Sequence, residues 1–274
     1  MNISGLIEPL VFVFGLMVGS FLNVCIWRLP AQEQVVRGRS RCRACQAVIA
    51  WHDNIPLLSF ARLRGRCRRC GARISWLYPA VELAAGLLFL GCLRRFGPTM
   101  SAMIYGSLGA SLLLVSVVDA REMIIPDEVT LPGIRLGLIV SSFFPALHGA
   151  SRWWEGLGRS LLGLAAGGGL ILGMGLLGRW MFRRKLKAIG EEEAVGGGDV
   201  KLMAMVGSVI GAPKTLLIVL FLAPFLGSVV GIGMKLRSGR ELIPYGPFLA
   251  LGTVAAIFWG DSIVAWYRSL VVGW

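Results

Sequence analysis

Residues 195–206 read Val-Gly-Gly-Gly-Asp-Val-Lys-Leu-Met-Ala-Met-Val, so that one carboxylate, Asp199, directly follows three glycines. The residues after Asp199 are mostly apolar, and the carboxylate therefore stands at the start of a segment suited to a membrane interior. Ionisable groups at membrane depth are costly and mark functional sites by default. Glycine permits tight turns and the close approach of another chain segment. The stretch predicts a functional carboxylate at a membrane boundary.

Long apolar runs dominate the rest of the chain. Hydrophobic residues make up 55% of its 274 residues, which excludes an ordinary soluble domain. A helix of about 20 apolar residues crosses a bilayer. Seven apolar runs lie at 6–27, 78–93, 100–118, 136–147, 161–180, 216–234 and 247–263. The shorter run 202–212 is either an eighth span or a re-entrant piece. We expect an all-α polytopic membrane protein with about eight transmembrane helices.

The positive charge of the chain is distributed unevenly between alternate loops. With eight alternating spans, 22 of the 28 Lys and Arg residues fall in the loops after spans one, three, five and seven. Because positive loops stay cytoplasmic, these loops are predicted to be inside and the N-terminus outside. Topology therefore accounts for the net charge of +13 better than nucleic-acid binding does. The first run is predicted to be a retained helix, since its charge, Arg28, comes after it.

The loop after the first span carries two Cys-x-x-Cys pairs. Cys42 and Cys45 form the first pair, and Cys67 and Cys70 form the second after 21 intervening residues. Four thiolates at such spacing bind zinc tetrahedrally, which leaves no open position for a water. Two disulfides are the alternative, but they rarely persist on the reducing side of the membrane. We expect a small cytoplasmic insertion with structural zinc.

Several polar and small residues are predicted to hold helices together. Gly15 and Gly19 form a small face suited to close helix packing, and Asn23 is expected to bond to a neighbouring helix. Glu82 is expected to pair with an arginine or to lie in a polar pocket. Asp53, between the cysteine pairs, is interpreted as structural.

A second carboxylate, Asp119, ends the apolar run 100–118. Span parity puts Asp119 and Asp199 at the same membrane face, although 80 positions separate them in the chain. If packing brings them together, they cannot both ionise readily, so one is a base and the other an acid. Such a pair can activate water against a peptide carbonyl. Two separate interfacial carboxylates are the alternative. Pro126 ends any helix here, and Asp127 is expected to cap the next one.

Other proteolytic chemistries lack necessary residues. There is no His-Glu-x-x-His motif, and the chain has two histidines, His52 in the cysteine loop and His148 at the predicted outer face. Two other classes of function remain open. One is a membrane assembly factor that docks through the zinc loop, and the other is a transporter in which Asp119 and Asp199 relay protons or bind a cation.

Seven segments in order resemble the bacterial type IV prepilin peptidases. Beside the four-cysteine loop, they are 19–24 with 28–30 (Gly-Ser-Phe-Leu-Asn-Val, Arg-Leu-Pro), 53–56 with 64–67 (Asp-Asn-Ile-Pro, Arg-Gly-Arg-Cys), 78–83 (Tyr-Pro-Ala-Val-Glu-Leu), Asp119 with 125–127 (Ile-Pro-Asp), 196–202 (Gly-Gly-Gly-Asp-Val-Lys-Leu) and 243–249 (Ile-Pro-Tyr-Gly-Pro-Phe-Leu).

The resemblance implies an inner-membrane aspartic peptidase of the G-x-G-D class, with Asp119 and Asp199 as the catalytic pair. Family members remove the basic leader of prepilins and pseudopilins at the cytoplasmic face, typically after a glycine. Many also methylate the new N-terminal residue, usually phenylalanine, with S-adenosylmethionine. The four cysteines match the metal motif of the bifunctional members.

The resemblance also suggests a division of the chain. Residues 1–29 form the first transmembrane helix, 30–76 the zinc-binding loop and 77–274 the transmembrane peptidase core. Substrate prepilins and membrane lipid are the expected partners, without nucleic acid. One departure follows Asp119, where many members have an acidic residue and a histidine but this chain has Arg121 and Glu122. It puts the local pH dependence or leader preference in question more than the reaction.

Overall fold

A computed structural model of the chain describes residues 3–189, 196–238 and 244–272. Val195, which begins the glycine stretch, and Ile243, which begins the last resembling segment, lie outside these ranges. The chain forms two compact units, residues 1–117 and 118–274. Across the described ranges the regular structure is helical, apart from two isolated backbone bridges in the cysteine insertion. The all-α expectation is confirmed.

The first unit contains the helices α1 (Ile3–Arg28), α2 (Leu58–Arg62), α3 (Leu77–Phe96) and most of α4 (Met100–Glu122). Helices α1 and α3 pack closely because α1 presents glycine to α3. A Cβ atom on Gly15 would lie 2.8 Å from the backbone oxygen of Ala85, and one on Gly19 would lie 2.6 Å from the Cα of Glu82. The Asn23 amide donates to the backbone oxygen of Tyr78 at 3.0 Å. The predicted packing roles of Gly15, Gly19 and Asn23 are confirmed.

Glu82 joins α3 to the cysteine insertion, but it does so without an arginine. Its Oε2 accepts a hydrogen bond from the backbone N–H of Leu57 at 2.9 Å. Leu57 precedes α2 and has a left-handed backbone with φ of 58°. The predicted arginine pairing is therefore wrong, and the polar pocket is correct. A buried carboxylate needs a hydrogen-bond donor. The backbone N–H at the start of a helix provides one, so that no arginine side chain is needed.

The second unit contains α5 (Asp127–Phe143), α6 (Trp153–Ile189), α7 (Gly197–Ile210), α8 (Ala212–Leu217), α9 (Ala223–Ser238) and α10 (Gly246–Val272). A five-residue π-helical turn, Ile218–Leu222, joins α8 to α9. Hydroxyl groups of Ser141 on α5 and Ser160 on α6 both donate to the backbone oxygen of Ser208 on α7. Because these groups are buried, their bonds hold the three helices in one arrangement.

Helix α7 lies at the centre of the second unit. Every residue from Leu202 to Ile210 is buried. The α6–α7 contact is tight, since a Cβ on Gly163 would collide with the backbone oxygen of Gly207. A helix that is apolar all round is a core helix. At 14 residues, it is also too short to cross a bilayer alone.

Within the described ranges, six helices are long and apolar enough to cross a membrane, whereas eight spans were expected. They are Gly5–Arg28, Leu77–Phe96, Met100–Glu122, Trp153–Met181, Ala212–Gly233 and Gly246–Tyr267. The other two expected spans are also helical, but α5 has 17 residues and α7 has 14. Helix α5 begins nine positions before the apolar run 136–147 that indicated it, because that run marks only its apolar end. The chain is a multi-pass membrane protein.

Candidate active site and metal centre

Asp119 lies in the last turn of α4 and is buried, with 6% of its surface exposed. Its Oδ2 accepts the backbone N–H of Gly246, the first residue of α10, at 2.9 Å. The N-terminus of a helix carries partial positive charge, which favours a carboxylate. A Cβ on Gly246 would lie 2.7 Å from this oxygen, so glycine is required for the contact. The start of α10 thus holds one buried carboxylate.

Asp199 is half-buried in the first turn of α7. The glycines before it let α7 begin close to the segment after α4, since a Cβ on Gly198 would lie 2.8 Å from that of Ile125. Burial raises the pKa of Asp199 to about 7, and the negative charge of Asp119 contributes to this rise. The two carboxyl groups therefore interact, although 80 positions separate them. Two carboxyl groups that interact in this way resist losing both protons at once.

The turn before α10 supplies a third ionisable group. Tyr245 is half-buried, and burial followed by the charge of Asp199 raises the pKa of its hydroxyl. No role for Tyr245 or Gly246 was predicted from the sequence. The pattern that could have pointed to them is the turn between Pro244 and Pro247, which begins α10 and also lies beside the aspartates.

Asp127 takes a different role from the one expected. It is the first residue of α5, and Pro126 occupies the N-cap position. The Asp127 carboxylate pairs with Lys201 Nζ at 2.7 Å, which joins the starts of α5 and α7. The predicted capping role is wrong because the extended Pro126 occupies the N-cap position, so the helix begins at Asp127, one residue earlier than a cap at Asp127 requires.

The four insertion cysteines converge in the first unit. The Sγ atoms of Cys42, Cys45, Cys67 and Cys70 all lie within 4.8 Å of one another. The Cys42 and Cys70 sulfurs are 3.8 Å apart, much longer than a disulfide of about 2.05 Å. Tetrahedral ligands at about 2.3 Å from a zinc ion are about 3.8 Å apart. The cluster suits a metal ion with four sulfur ligands.

The cysteine pairs are two copies of one turn. In each copy the N–H of the first cysteine bonds to an alanine oxygen five positions on, at 2.9 Å for Cys42 and Ala47 and 2.8 Å for Cys67 and Ala72. Each turn also closes with an isolated bridge. Backbone N–H groups of Cys70 and Arg69 lower the pKa of the Cys67 thiol to about 6. A low pKa favours the thiolate, which is the form that binds metal.

Side chains around the cysteines fasten the insertion. Arg68 donates two hydrogen bonds to Asp53, at 2.6 and 2.5 Å, and these bonds lower the pKa of that carboxyl. The Arg43 guanidinium lies 3.4 Å from the centre of the Trp27 ring on α1. Asp53 is therefore structural, as predicted. Cys25 and Cys92 are buried in α1 and α3.

Two features define the class of this protein. It has several helices that can span a membrane, and it has two interacting aspartates, one bonded to the start of α10 and the other in the first turn of α7. The chain is therefore a membrane protein with a pair of acidic groups. Family models match both parts of the chain. The bacterial peptidase A24 N-terminal domain matches residues 13–96, and the type IV leader peptidase family matches residues 106–232. No solved structure matches the chain.

Relatives from several bacteria carry the name prepilin leader peptidase/N-methyltransferase. The protein from Myxococcus xanthus is 42% identical, over 87% of this chain and 68% of its own length. That from Aeromonas salmonicida is 35% identical, over 96% and 94%. That from Bacillus subtilis is 32% identical, over 96% and 99%. The chain belongs to the type IV leader peptidase family.

Proposed function

We propose that the chain is an inner-membrane aspartic endopeptidase that removes the basic leader of type IV prepilins and pseudopilins at the cytoplasmic face. We further propose that it methylates the new N-terminal residue with S-adenosylmethionine. The observation that carries the peptidase proposal is the placement of the two aspartates: Asp119 is buried against the start of α10, and its charge contributes to the raised pKa of Asp199 in the first turn of α7. Membership in the leader peptidase family supports the choice of substrate.

In the proposed reaction, the two aspartates share one proton and act on water. The Gly246 N–H and the N-terminus of α10 favour a charged Asp119, so Asp119 is the base. Asp199 keeps its proton up to about pH 7 and is the acid. Asp119 takes a proton from a water molecule while the water oxygen attacks the peptide carbonyl carbon. At the same time Asp199 gives its proton to the carbonyl oxygen. As the tetrahedral intermediate collapses, Asp119 gives its proton to the leaving amine and Asp199 recovers the proton of the hydroxyl that becomes the carboxyl product, without a covalent intermediate.

The segment between α4 and α5 has the chemistry expected of a substrate contact. Glu128 is exposed and suits a basic leader, whereas the carboxylate of Glu122 already lies 3.5 Å from the guanidinium of Arg121. Met123 and Ile124 between them are 54% and 53% exposed and suit an apolar residue after the cleaved bond. An exposed acid and exposed apolar side chains in one segment near Asp119 suit a positively charged leader joined to an apolar residue.

The cysteine cluster is proposed to hold zinc. Four sulfur ligands occupy every position of a tetrahedral ion, so the metal orders the insertion and activates no water. Backbone N–H groups favour the thiolate form of Cys67, and the thiolate is the form that binds metal. S-adenosylmethionine, when bound, supplies the methyl group to the free amine that cleavage exposes.

Mass spectrometry of a co-expressed prepilin tests the proposal. The purified pilin is expected to lose its leader and to gain 14 Da, about the mass of one methylene, when cleavage and methylation both occur. Unprocessed prepilin in the presence of the folded, membrane-inserted chain would contradict the peptidase assignment. A shortened pilin without the added mass would contradict methylation alone.

Cleavage is expected to decline on the alkaline side of about pH 7. Because the pKa of Asp199 is raised to about 7, this residue loses its proton above that pH and can no longer act as the acid. A plot of kcat/KM against pH should fall about tenfold per pH unit there, with an apparent value that belongs to the pair. Thermal unfolding at each pH is the control for lost structure. A flat profile from pH 6 to 9 would contradict the shared proton.

Replacing Cys67 by Ser is expected to remove bound zinc. Metal analysis should find about one zinc per wild-type chain and less than about a tenth of that in the variant. The reason is that a site with four sulfur ligands loses most of its affinity for zinc when one ligand is removed. Cys92→Ala is the matched control, since Cys92 is buried in α3 away from the cluster. Full zinc occupancy in Cys67→Ser would exclude the four-cysteine site.

A further inference from the structure

The first unit contains a wide groove whose lining includes none of the four cysteines. Its volume is about 970 Å³. We call it the basic groove and define it by six of its lining residues, Phe60, Arg64, Arg66, Arg73, Trp76 and Leu83. The groove runs from the second cysteine turn to the first turns of α3.

The charge of the basic groove is entirely positive. Arg64, Arg66 and Arg73 are all exposed, and no acidic residue lines the groove. Among the described residues, the side chains of these three arginines make no hydrogen bond or ion pair. Other arginines of the insertion are engaged, such as Arg68 with Asp53 and Arg43 with Trp27. The groove therefore offers three guanidinium groups to an anion.

The floor of the groove continues along a membrane helix. Trp76, Ala80, Leu83 and Leu87 follow one another at helical spacing and share one face of α3. Trp76 is 75% exposed, Leu83 41% and Leu87 54%. Because the candidate span begins at Leu77, this stripe leads from the arginines toward the hydrocarbon layer. Tryptophan is typical of that interface.

We propose that the basic groove binds one anionic phospholipid. The headgroup phosphate binds Arg64, Arg66 and Arg73, and an acyl chain lies along Leu83 and Leu87. Guanidinium groups bind phosphate through paired hydrogen bonds, and basic pockets beside membrane helices select anionic headgroups. The combination of an all-positive rim with an apolar stripe at membrane level matches a lipid rather than a soluble anion. This assignment does not depend on the peptidase proposal.

Native mass spectrometry of the delipidated full-length chain tests the site. Dioleoyl-phosphatidylglycerol and dioleoyl-phosphatidylcholine are titrated separately in detergent. We expect one phosphatidylglycerol to bind at least about tenfold more tightly than phosphatidylcholine. The triple variant Arg64→Gln, Arg66→Gln, Arg73→Gln should weaken phosphatidylglycerol binding about a hundredfold, and each single variant about fivefold.

A control triple variant removes the same number of positive charges from arginines that do not line the groove. Arg37→Gln, Arg39→Gln and Arg41→Gln lie in the same insertion, are exposed and do not line the groove. This control should change phosphatidylglycerol affinity less than about twofold. Bound zinc and thermal unfolding show that both triple variants are folded, and the single variants serve if the groove triple is not.

Three results would overturn the proposal. Equal weakening by the two triple variants would reduce the effect to net charge. Equal affinity for the two lipids would exclude anion selection. Competition between S-adenosylmethionine and phosphatidylglycerol at the wild-type groove would assign the groove to the methyl donor instead. Prepilin cleavage enters none of these measurements, so failure here and failure of the peptidase proposal are distinguishable.

Discussion

Replacing either Asp119 or Asp199 by Asn is expected to reduce prepilin cleavage by at least about a thousandfold. Asparagine nearly preserves the shape of aspartate but cannot give or take the proton. Since the two groups act as one pair, the double variant should be no slower than either single variant. The measurement is kcat/KM on a purified prepilin in detergent, with product identified by mass.

The control for this prediction is another carboxylate in the same unit. Asp127→Asn removes the pair with Lys201, which is an exposed contact worth about 0–1 kcal/mol. Its cleavage rate should stay within about threefold of the wild type. Activity in Asp119→Asn or Asp199→Asn at that level would remove the two-aspartate mechanism.

Replacing Gly246 by Ala is expected to reduce kcat/KM about a hundredfold without unfolding the chain. The added Cβ would lie 2.7 Å from the Asp119 Oδ2 and 3.2 Å from its Cγ, so the carboxylate must move away from the start of α10. A shift of about 1 Å in a reacting group can cost about a hundredfold in rate. The lost N–H contact would also weaken the preference for a charged Asp119.

A second glycine provides the matched comparison. A Cβ on Gly227 would lie 3.6 Å from side-chain atoms of Phe248 and Tyr245, which is ordinary van der Waals contact. Gly227→Ala therefore alters the surroundings of the same turn without displacing Asp119, and its activity should resemble that of the wild type. If Gly246→Ala cleaves as fast as Gly227→Ala, the Gly246 contact has no part in catalysis.

The proposed peptidase site and the proposed zinc and lipid sites lie in different units of the chain. The second unit contains both aspartates and the helix starts that hold them. The first contains the cysteine cluster and the basic groove. Loss of zinc is therefore expected to disturb the insertion while leaving the Asp119–Gly246 contact in place. Such a separation is suited to a chain with two proposed activities.

Individual residues show how far sequence reasoning reached. The four cysteines and both aspartates were identified from spacing and from their place beside apolar runs. Gly15, Gly19 and Asn23 were correctly predicted to pack helices. Those predictions rest on local patterns, because spacing along one helix or one loop decides which side chains share a face or converge on an ion.

Such local patterns could not predict hydrogen-bond partners that are distant from each other in the chain. Gly246 lies 127 positions from Asp119, and no period in the sequence indicates that its N–H meets that carboxylate. Glu82 accepts a hydrogen bond from the backbone N–H of Leu57, a donor that neither expected alternative, an arginine or a polar pocket, had specified. A backbone donor has no signature of its own in the sequence, since every non-proline residue carries one.

The sequence by itself determined the helical membrane class, the four-thiol insertion and the identity of the two interacting acids, because composition and short-range spacing carry that information. Only the tertiary structure decided that α7 is a short helix surrounded by protein and that the starts of α7 and α10 meet the two acids. Hydropathy measures how apolar a segment is and cannot tell lipid from protein as its neighbour. That choice depends on which helices pack against it.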